Sequence, residues 1–419
     1  MPFRMTCLQA AITVAFATST SFAFAAPLPD AGKLTEPNQP GQMLTTEQAF
    51  EAEILEVAKA QRVSPNQARS ILNIEAQSGE IVAAIRERYK NRLAGIFIEH
   101  NAEGHRLVVR LKGAELVPKQ SHQFGDDVLI VDFQPGATHT VNELVAALNT
   151  VTQGDVAASI PGAHGGYVDE RTGELVIEVN PNSEAGKGSA AVVAREMVQK
   201  LVGVPVRIEK GEAAEIQAVF GSGTLGNGCT AGFTVNHAAS GLQGVLTAGH
   251  CQTASGSDTY SGIDGATATL EQKGWVQNAK TDLLWYKGTT EEKFGPWFYA
   301  DAWRQVTGRR TQAATAVGAS FCHYGKTSGY SCGVIKTVYG NPGSICGAPN
   351  ESNPCNASFV GVEGTDLRCL GGDSGGPWFT AATLAAGIHF AGPKSGVGRC
   401  WYSSTDYAYS DLGLNLLYK

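Results

Sequence analysis

Apolar positions along this 419-residue chain change their rhythm twice. Between residues 45 and 94 they recur at helical spacing, with Ile71, Ile74, Ile81, Ile85 and Tyr89 falling on one packing face. Thr46-Glu47-Gln48 opens one such stretch, and Ser64-Pro65 opens another with Pro at the first helical position. From Gly95 to Ile208 the pattern is mixed. Leu107–Leu111 and Leu175–Val179 predict strands, whereas Val141–Val151 and Ser189–Val202 predict helices. Gly162-Ala-His164-Gly-Gly reads as a turn between strand and helix, since no nucleophile motif accompanies it. Beyond about residue 215 helical spacing nearly vanishes. Short apolar runs (Phe233–Val235, Val245–Leu246, Leu283–Tyr286, Gly333–Ile335, Phe359–Val362) alternate there with Gly, Ser, Thr and Asn, and 33 of the 50 glycines lie from Gly221 onward. Such punctuation predicts an all-β sandwich or barrel. The tail from Thr405 to Leu416 reads as a closing helix.

Charge follows the same division. The net charge is −7, yet residues 221–419 carry 13 basic and 13 acidic side chains, so the acidic excess belongs entirely to the front. No basic footprint for nucleic acid exists. At the N-terminus, Arg4 precedes an uncharged stretch from Ala10 to Phe24, and Ala23-Phe24-Ala25 has the small-x-small form of a signal-peptide cut, expected after Ala25. That stretch is short and broken by Thr and Ser, and no later run is long enough to span a bilayer, so no membrane association is expected. Residues 26–42 form a Pro-rich polar lead. Cys7 leaves with the leader, and the other eight cysteines all lie in the last 191 residues. An even set in an exported chain predicts disulfides, and irregular spacing without a CxxC pair argues against a metal. The chain is thus expected to be secreted.

Three motifs in the back half carry chemistry. Leu246-Thr-Ala-Gly-His250-Cys251 comes first, Thr281-Asp282-Leu283-Leu284 follows, and Gly372-Asp373-Ser374-Gly375-Gly376-Pro377 comes last. A serine hydroxyl needs a base to become a nucleophile near neutral pH, and imidazole has the matching pKa. A buried carboxylate then fixes the imidazole tautomer. His250, Asp282 and Ser374 supply these three types. Glycines beside the serine let backbone N–H groups face a developing oxyanion, for which the amides of Gly372 and Ser374 are the candidates. Asp264 and Asp301 are rivals to Asp282, but neither precedes an apolar run that would bury it on a strand. Gly372-x-Ser374-x-Gly376 also fits the nucleophile elbow of α/β-hydrolases, whose triad runs Ser, acid, His. Here the only histidine after Ser374 is His389, and Asp406 and Asp411 both follow it, so that order fails.

The order His, Asp, Ser within these motifs resembles the chymotrypsin-like serine peptidases. The closer likeness is to their bacterial branch, the streptogrisins and α-lytic protease. It is carried also by Val317–Cys322, by Thr327–Gly333, and by Asp169–Val176, which is similar to the pro-region hairpin of that branch. The resemblance implies a trypsin-like double β-barrel (two six-stranded barrels) over residues 216–419. It implies an α+β pro-region over 26–215, helical over 45–94 and mixed over 95–208, cut off somewhere near 210–225. It implies a monomeric endopeptidase that forms an acyl-enzyme on protein or peptide substrates without a cofactor, with its own pro-region as folding aid and inhibitor. It pairs Cys229 with Cys251, Cys322 with Cys332 and Cys369 with Cys400, which leaves Cys346 with Cys355. It places Leu370, His389, Phe390 and Gly392 along the substrate pocket. No acid matches the base of a trypsin-type pocket, and His389 stands where some glutamate-specific relatives carry His, so acidic and apolar P1 residues both remain open. Bacterial relatives pair the aspartate before the nucleophile with an Arg, but here that position is His323. His323 with a raised pKa, or Lys326, is the expected partner of Asp373. A silent binding protein, or an esterase with the same triad, is the alternative function.

Overall fold

The computed structural model describes residues 44–101, 104–153, 160–183, 188–215, 223–288, 294–347 and 353–419. The leader, the residue 26–42 lead and residues 216–222, within which the expected cut partly falls, lie outside these residues. All described residues belong to one compact unit.

The first two helices start where local side-chain chemistry satisfies their free N–H groups. Helix α1 (Thr46–Gln61) opens on a capping box: Thr45 Oγ1 accepts from the Gln48 N–H at 3.2 Å, and Gln48 Oε1 accepts from the Thr45 N–H at 3.0 Å. Helix α2 (Pro65–Arg88) repeats the device with Ser64 and Gln67. The helical stretch read to residue 94 ends at Arg88, because Leu93 already begins strand β1 (Leu93–Asn101). With β2 (Gly104–Lys112), β3 (Gln120–Phe124) and β4 (Asp127–Ala137) it forms a sheet of order β1-β2-β4-β3. Ile74, Val82 and Ile85 of α2 share a buried cluster with this sheet and with Phe321, Ile335, Trp378 and Tyr402 of the back half, so one core spans both halves. Burial of this kind contributes about 25 cal/mol per Å² of apolar surface.

Helix α3 (Val141–Gln153), β5 (Ala163–Asp169), β6 (Glu174–Val179), α4 (Gly188–Val202) and β7 (Val206–Lys210) follow, and then the short β8 (Ala214–Glu215). The glycine-rich Gly162–Gly166 stretch is not the expected turn, for His164–Gly166 run inside β5. A Cβ on Gly165 would stand 2.8 Å from the Asn341 carbonyl oxygen, and one on Gly166 would stand 2.4 Å from that of Val176. These glycines therefore let a strand approach its neighbours closely.

The back half is all-β. Strands β9 (Thr224–Leu225), β10 (Thr234–His237), β11 (Gln243–Thr247), β12 (Ser257–Ser261), β13 (Thr267–Gln277) and β14 (Asp282–Gly288) form its first sheet. A hairpin of β15 (Trp297–Tyr299) with β16 (Trp303–Gln305) and the short β17 (Gly308–Arg309) lead onward. Strands β18 (Ser320–Gly325), β19 (Gly329–Asn341), β20 (Phe359–Arg368), β21 (Pro377–Thr380), β22 (Leu384–Pro393) and β23 (Val397–Ser404) run in the order β18-β21-β22-β23-β20-β19. Pairing of β18 with β19 closes them into a six-stranded barrel. The first sheet departs from the expected six strands. The tail is helical only over α5 (Asp406–Leu412), stops at Gly413 with φ +65°, and adds β24 (Leu414–Leu416) as a seventh strand beside β10. β19 also pairs with β5, so β5, β6 and β7 extend the closed barrel's sheet into the front half. Disulfides join Cys229 to Cys251, Cys322 to Cys332, Cys346 to Cys355 and Cys369 to Cys400.

Candidate active site

His250 lies in a single 3-10 turn, Gly249–Cys251, just past the end of β11. β11 pairs with β14 so that Thr247 stands opposite Leu284, and the first residue of β14 is Asp282. The ladder therefore delivers the carboxylate to the turn. Asp282 is 1% exposed and grips His250 twice: Oδ1 accepts the His250 backbone N–H at 3.0 Å, and Oδ2 bonds Nδ1 at 2.6 Å. A carboxylate at that distance requires the Nδ1–H tautomer, which leaves a lone pair on Nε2. That Nε2 is buried without a hydrogen-bond partner among the described residues. The Asp282 N–H donates in turn to Ser403 Oγ at 3.1 Å. Asp264 accepts from Ala266 within its own turn, Asp301 sits at φ +58° between β15 and β16, and among the described residues neither rival bonds His250.

The Gly372–Pro377 loop sits against the same turn. Thr230 binds it twice, donating its N–H to the Ser374 carbonyl at 2.8 Å and its hydroxyl to the Gly372 carbonyl at 2.6 Å. The Ser374 carbonyl oxygen lies 4.0 Å from Cys251 Sγ, next in chain to His250. Gly372 has φ +98° and Gly375 has φ +86°. A Cβ on Gly375 would stand 1.9 Å from Thr247 Oγ1 and 2.3 Å from the Thr230 carbonyl oxygen, so only glycine lets the loop close against β11.

Asp373 is fully buried, and backbone N–H groups bind its carboxylate. Its Oδ1 accepts the N–H groups of Thr327 and Ser328 at 2.9 and 3.1 Å, and its Oδ2 accepts that of Leu370 at 2.7 Å. His323 instead donates from Nε2 to the Arg368 carbonyl and stacks on Trp378 at 4.6 Å. Burial lowers its pKa, outweighing the nearby Asp373 charge, so the expected rise does not occur. Lys326 is likewise lowered by burial against the pull of Asp373. Three backbone N–H groups thus hold the carboxylate, and its charge acts on both His323 and Lys326.

Of the expected pocket residues, Phe390 stands edge-on to His250 at 6.0 Å and stacks on Phe359 at 4.7 Å. His389 is buried, and its Nδ1 accepts the Trp378 indole N–H at 3.2 Å. It is therefore neutral with its proton on Nε2, an atom that is buried without a partner among the described residues. Burial, then the charges of His323 and His250, hold its pKa well below the ordinary value. Gly392 backs onto the Cys369 sulfur, and Leu370 lies against Gly396. Thr230, Ser403 and Trp378 were not singled out from the sequence. Thr230 and Ser403 acquire their contacts through pairing across more than a hundred residues, and Trp378 reaches His389 across the β21–β22 hairpin.

No family model matches the chain. It is 27% identical over 255 residues to Serine protease 1 of Streptomyces fradiae, covering 59% of this chain and 63% of that protein. It is 23% identical over 332 residues to Serine protease 1 of Rarobacter faecitabidus, covering 76% of this chain and 54% of that protein. The chain therefore spans 54–63% of the length of these curated relatives. Among solved structures, it is similar to a glutamic acid-specific serine protease that uses a histidine triad in substrate binding, with 21% identity and a TM-score of 0.38 over 48% of this chain and all of that one.

Proposed function

We propose that this chain is the precursor of a secreted serine endopeptidase of the chymotrypsin-like class, with residues 26–215 as a pro-region and 216–419 as the enzyme. The observation that carries the reading is the His250–Asp282 pair: a buried carboxylate fixes the imidazole tautomer at 2.6 Å and leaves Nε2 basic, buried and beside the Ser374 loop. In this reading Ser374 Oγ bonds the substrate carbonyl carbon as its proton passes to His250 Nε2. The amides of Gly372 and Ser374 hold the oxyanion, and His250 gives the proton to the departing amine. Water repeats the sequence to release the acyl group. Residues 250, 282 and 374 are thus the catalytic set, and no cofactor enters. The front half supports an inhibitory role, because β8 pairs antiparallel with Gly392 and Pro393 at the end of β22. An extended segment there would block a peptide that adds to the same edge.

The test is the intact mass of the secreted product, with a fluorophosphonate label, for wild type and Ser374→Ala. Wild type is expected as a labelled fragment of the back half, and the variant as an unlabelled, unprocessed chain. Label on both proteins, or on neither, would sink the assignment of Ser374.

Acidic P1 residues are favoured over apolar ones by His389, next to Phe390 on β22, whose neutral ring has a buried Nε2–H without a partner among the described residues. A carboxylate would satisfy that donor, and a leucine would leave it bare. A para-nitroanilide panel with Glu, Phe, Leu and Ala at P1 is expected to show Glu cleaved fastest. No turnover of the Glu substrate by an enzyme that cuts the others ends the acidic reading.

A further inference from the structure

One buried cation of the back half is held jointly by the two halves. Arg399, on β23, is 10% exposed, and its guanidinium ion-pairs with Glu178 of β6, Glu209 of β7 and Glu363 of β20. It lies 4.5 Å above the Tyr167 ring of β5, with Trp401 at 5.8 Å on its own side. Lys336 of β19 reaches the same group, 3.6 Å from Glu363 and 5.5 Å from the Tyr167 ring centre. Next to it the Ser395 N–H binds the Glu212 carboxylate at 3.2 Å. Three carboxylates of the front half thus converge on Arg399 and a neighbouring amide. Without them, Glu363 is the one carboxylate among the described residues that pairs with Arg399 and Lys336, and these three side chains keep a surplus of one positive charge.

The location gives the surplus a use. The last pair joining β22 to β23 is Ala391 with Trp401, and beyond it Gly392 and Pro393 have β8 as their strand partner. The segment from Lys210 to Glu212 crosses the Arg399 cleft immediately before β8 joins that edge. The same β22 carries His389 and Phe390 to His250. A peptide adding to this edge in the direction of β8 lays its upstream residues over Arg399 and Ser395.

We propose that Arg399, with the Ser395 N–H, is a subsite for an acidic side chain on the amino-terminal side of the bond cleaved, filled here by the chain's own Glu178, Glu209 and Glu212. It is separate from the His389 pocket, and it rests on the reading that the front half is removed from a working peptidase. A guanidinium distinguishes a carboxylate from the isosteric amide by charge.

The experiment uses the full chain, expressed and left to process, and its purified product. Internally quenched peptides that differ by Glu against Gln at each of the six positions upstream of the scissile bond are compared by kcat/KM. One or two adjacent positions are expected to favour Glu by about tenfold, the scale of a charge-assisted hydrogen bond. The preference is expected to shrink as salt rises from 0.05 to 0.5 M, roughly the range over which screening closes in. Arg399→Gln is expected to bring the Glu peptide down to the rate of the Gln peptide. Because that variant loses contacts to the front half and could fail to fold, the salt series on wild type stands by itself as the second measurement. Equal rates for Glu and Gln at every position, in a product that takes the fluorophosphonate, overturn the subsite and leave the peptidase reading standing. A preference indifferent to salt, or one that survives Arg399→Gln, also overturns it. A product that takes no label and cuts no peptide brings down the peptidase reading, and the subsite with it.

Discussion

Replacing Asp282 by Asn is expected to lower kcat on a chromogenic peptide by about 10⁴-fold while the protein stays folded. Asn keeps the shape of the carboxylate and retains an oxygen for the His250 N–H, which Asp282 Oδ1 now holds at 3.0 Å. What changes is the group facing Nδ1. The carboxylate at 2.6 Å compels Nδ1 to carry the proton, whereas an amide NH₂ compels it to accept one. The proton then sits on Nε2, the atom proposed to take it from Ser374, and the base is lost without any displacement of the ring. Binding is predicted to change little, so KM moves less than kcat. A fall of less than tenfold would mean that the imidazole is oriented by something other than Asp282. The unchanged urea midpoint expected of the variant distinguishes lost chemistry from lost structure. The Ser403 hydroxyl, 3.1 Å from the Asp282 N–H, holds the strand end in either case.

Legibility in the sequence followed the range of the interactions. The two capping boxes are readable because donor and acceptor are three residues apart, Thr45 with Gln48 and Ser64 with Gln67. The strings around His250 and Ser374 are readable for the same reason, since the glycines that permit the turns are neighbours of the side chains they serve. Contacts across more than a hundred residues left no such trace. Thr230 meets Gly372, Asp282 meets Ser403, and Gly166 meets Asn341 only through sheet pairing. His323 shows how a local reading misleads. It stands where bacterial relatives pair an Arg with this aspartate, which suggests an ion pair, but a fully buried imidazole costs more to charge than one neighbouring carboxylate returns, and the backbone N–H groups of Thr327, Ser328 and Leu370 bind the carboxylate. The closing helix expected over Thr405–Leu416 ends at Leu412, because Gly413 stops it and Leu414–Leu416 form a strand.

The hold of α1 on the back half is expected to weaken as pH rises, because of one carboxyl. Glu53 of α1 is fully buried, with Oε2 lacking any partner among the described residues. Burial raises its pKa from 4.5 to about 8, against the opposing pull of Arg304 and a hydrogen bond from the Ala382 N–H, with Glu75 adding to the rise. Arg304 itself is occupied, bonding the Ala49 carbonyl at 3.3 Å and lying over the rings of Tyr330 and Phe379. In the docked state Glu53 is therefore neutral through pH 7, and in the undocked state it ionises near the ordinary value. Docking binds a proton, so it is strongest below pH 4.5, declines as pH rises from 4.5 to about 8, and is constant above that. The slope is about 1.4 kcal/mol per pH unit, which sums to about 5 kcal/mol across the window. Hydrogen exchange of the α1 amides measures it directly, in the Ser374→Ala chain so that both halves stay joined. Protection at pH 5 is expected to exceed that at pH 9 by roughly three powers of ten, after correction for intrinsic exchange. Glu53→Gln in the same chain keeps the shape and removes the charge, so its protection should be flat with pH and higher than that of the parent at pH 9. An equal pH dependence in the two chains would place the linkage elsewhere. A flat parent would mean that Arg304 keeps Glu53 ionised even when buried. If the linkage holds, α1 binds its own enzyme half least tightly in alkaline surroundings, and the proposed inhibitor is released there without any change in the cleft.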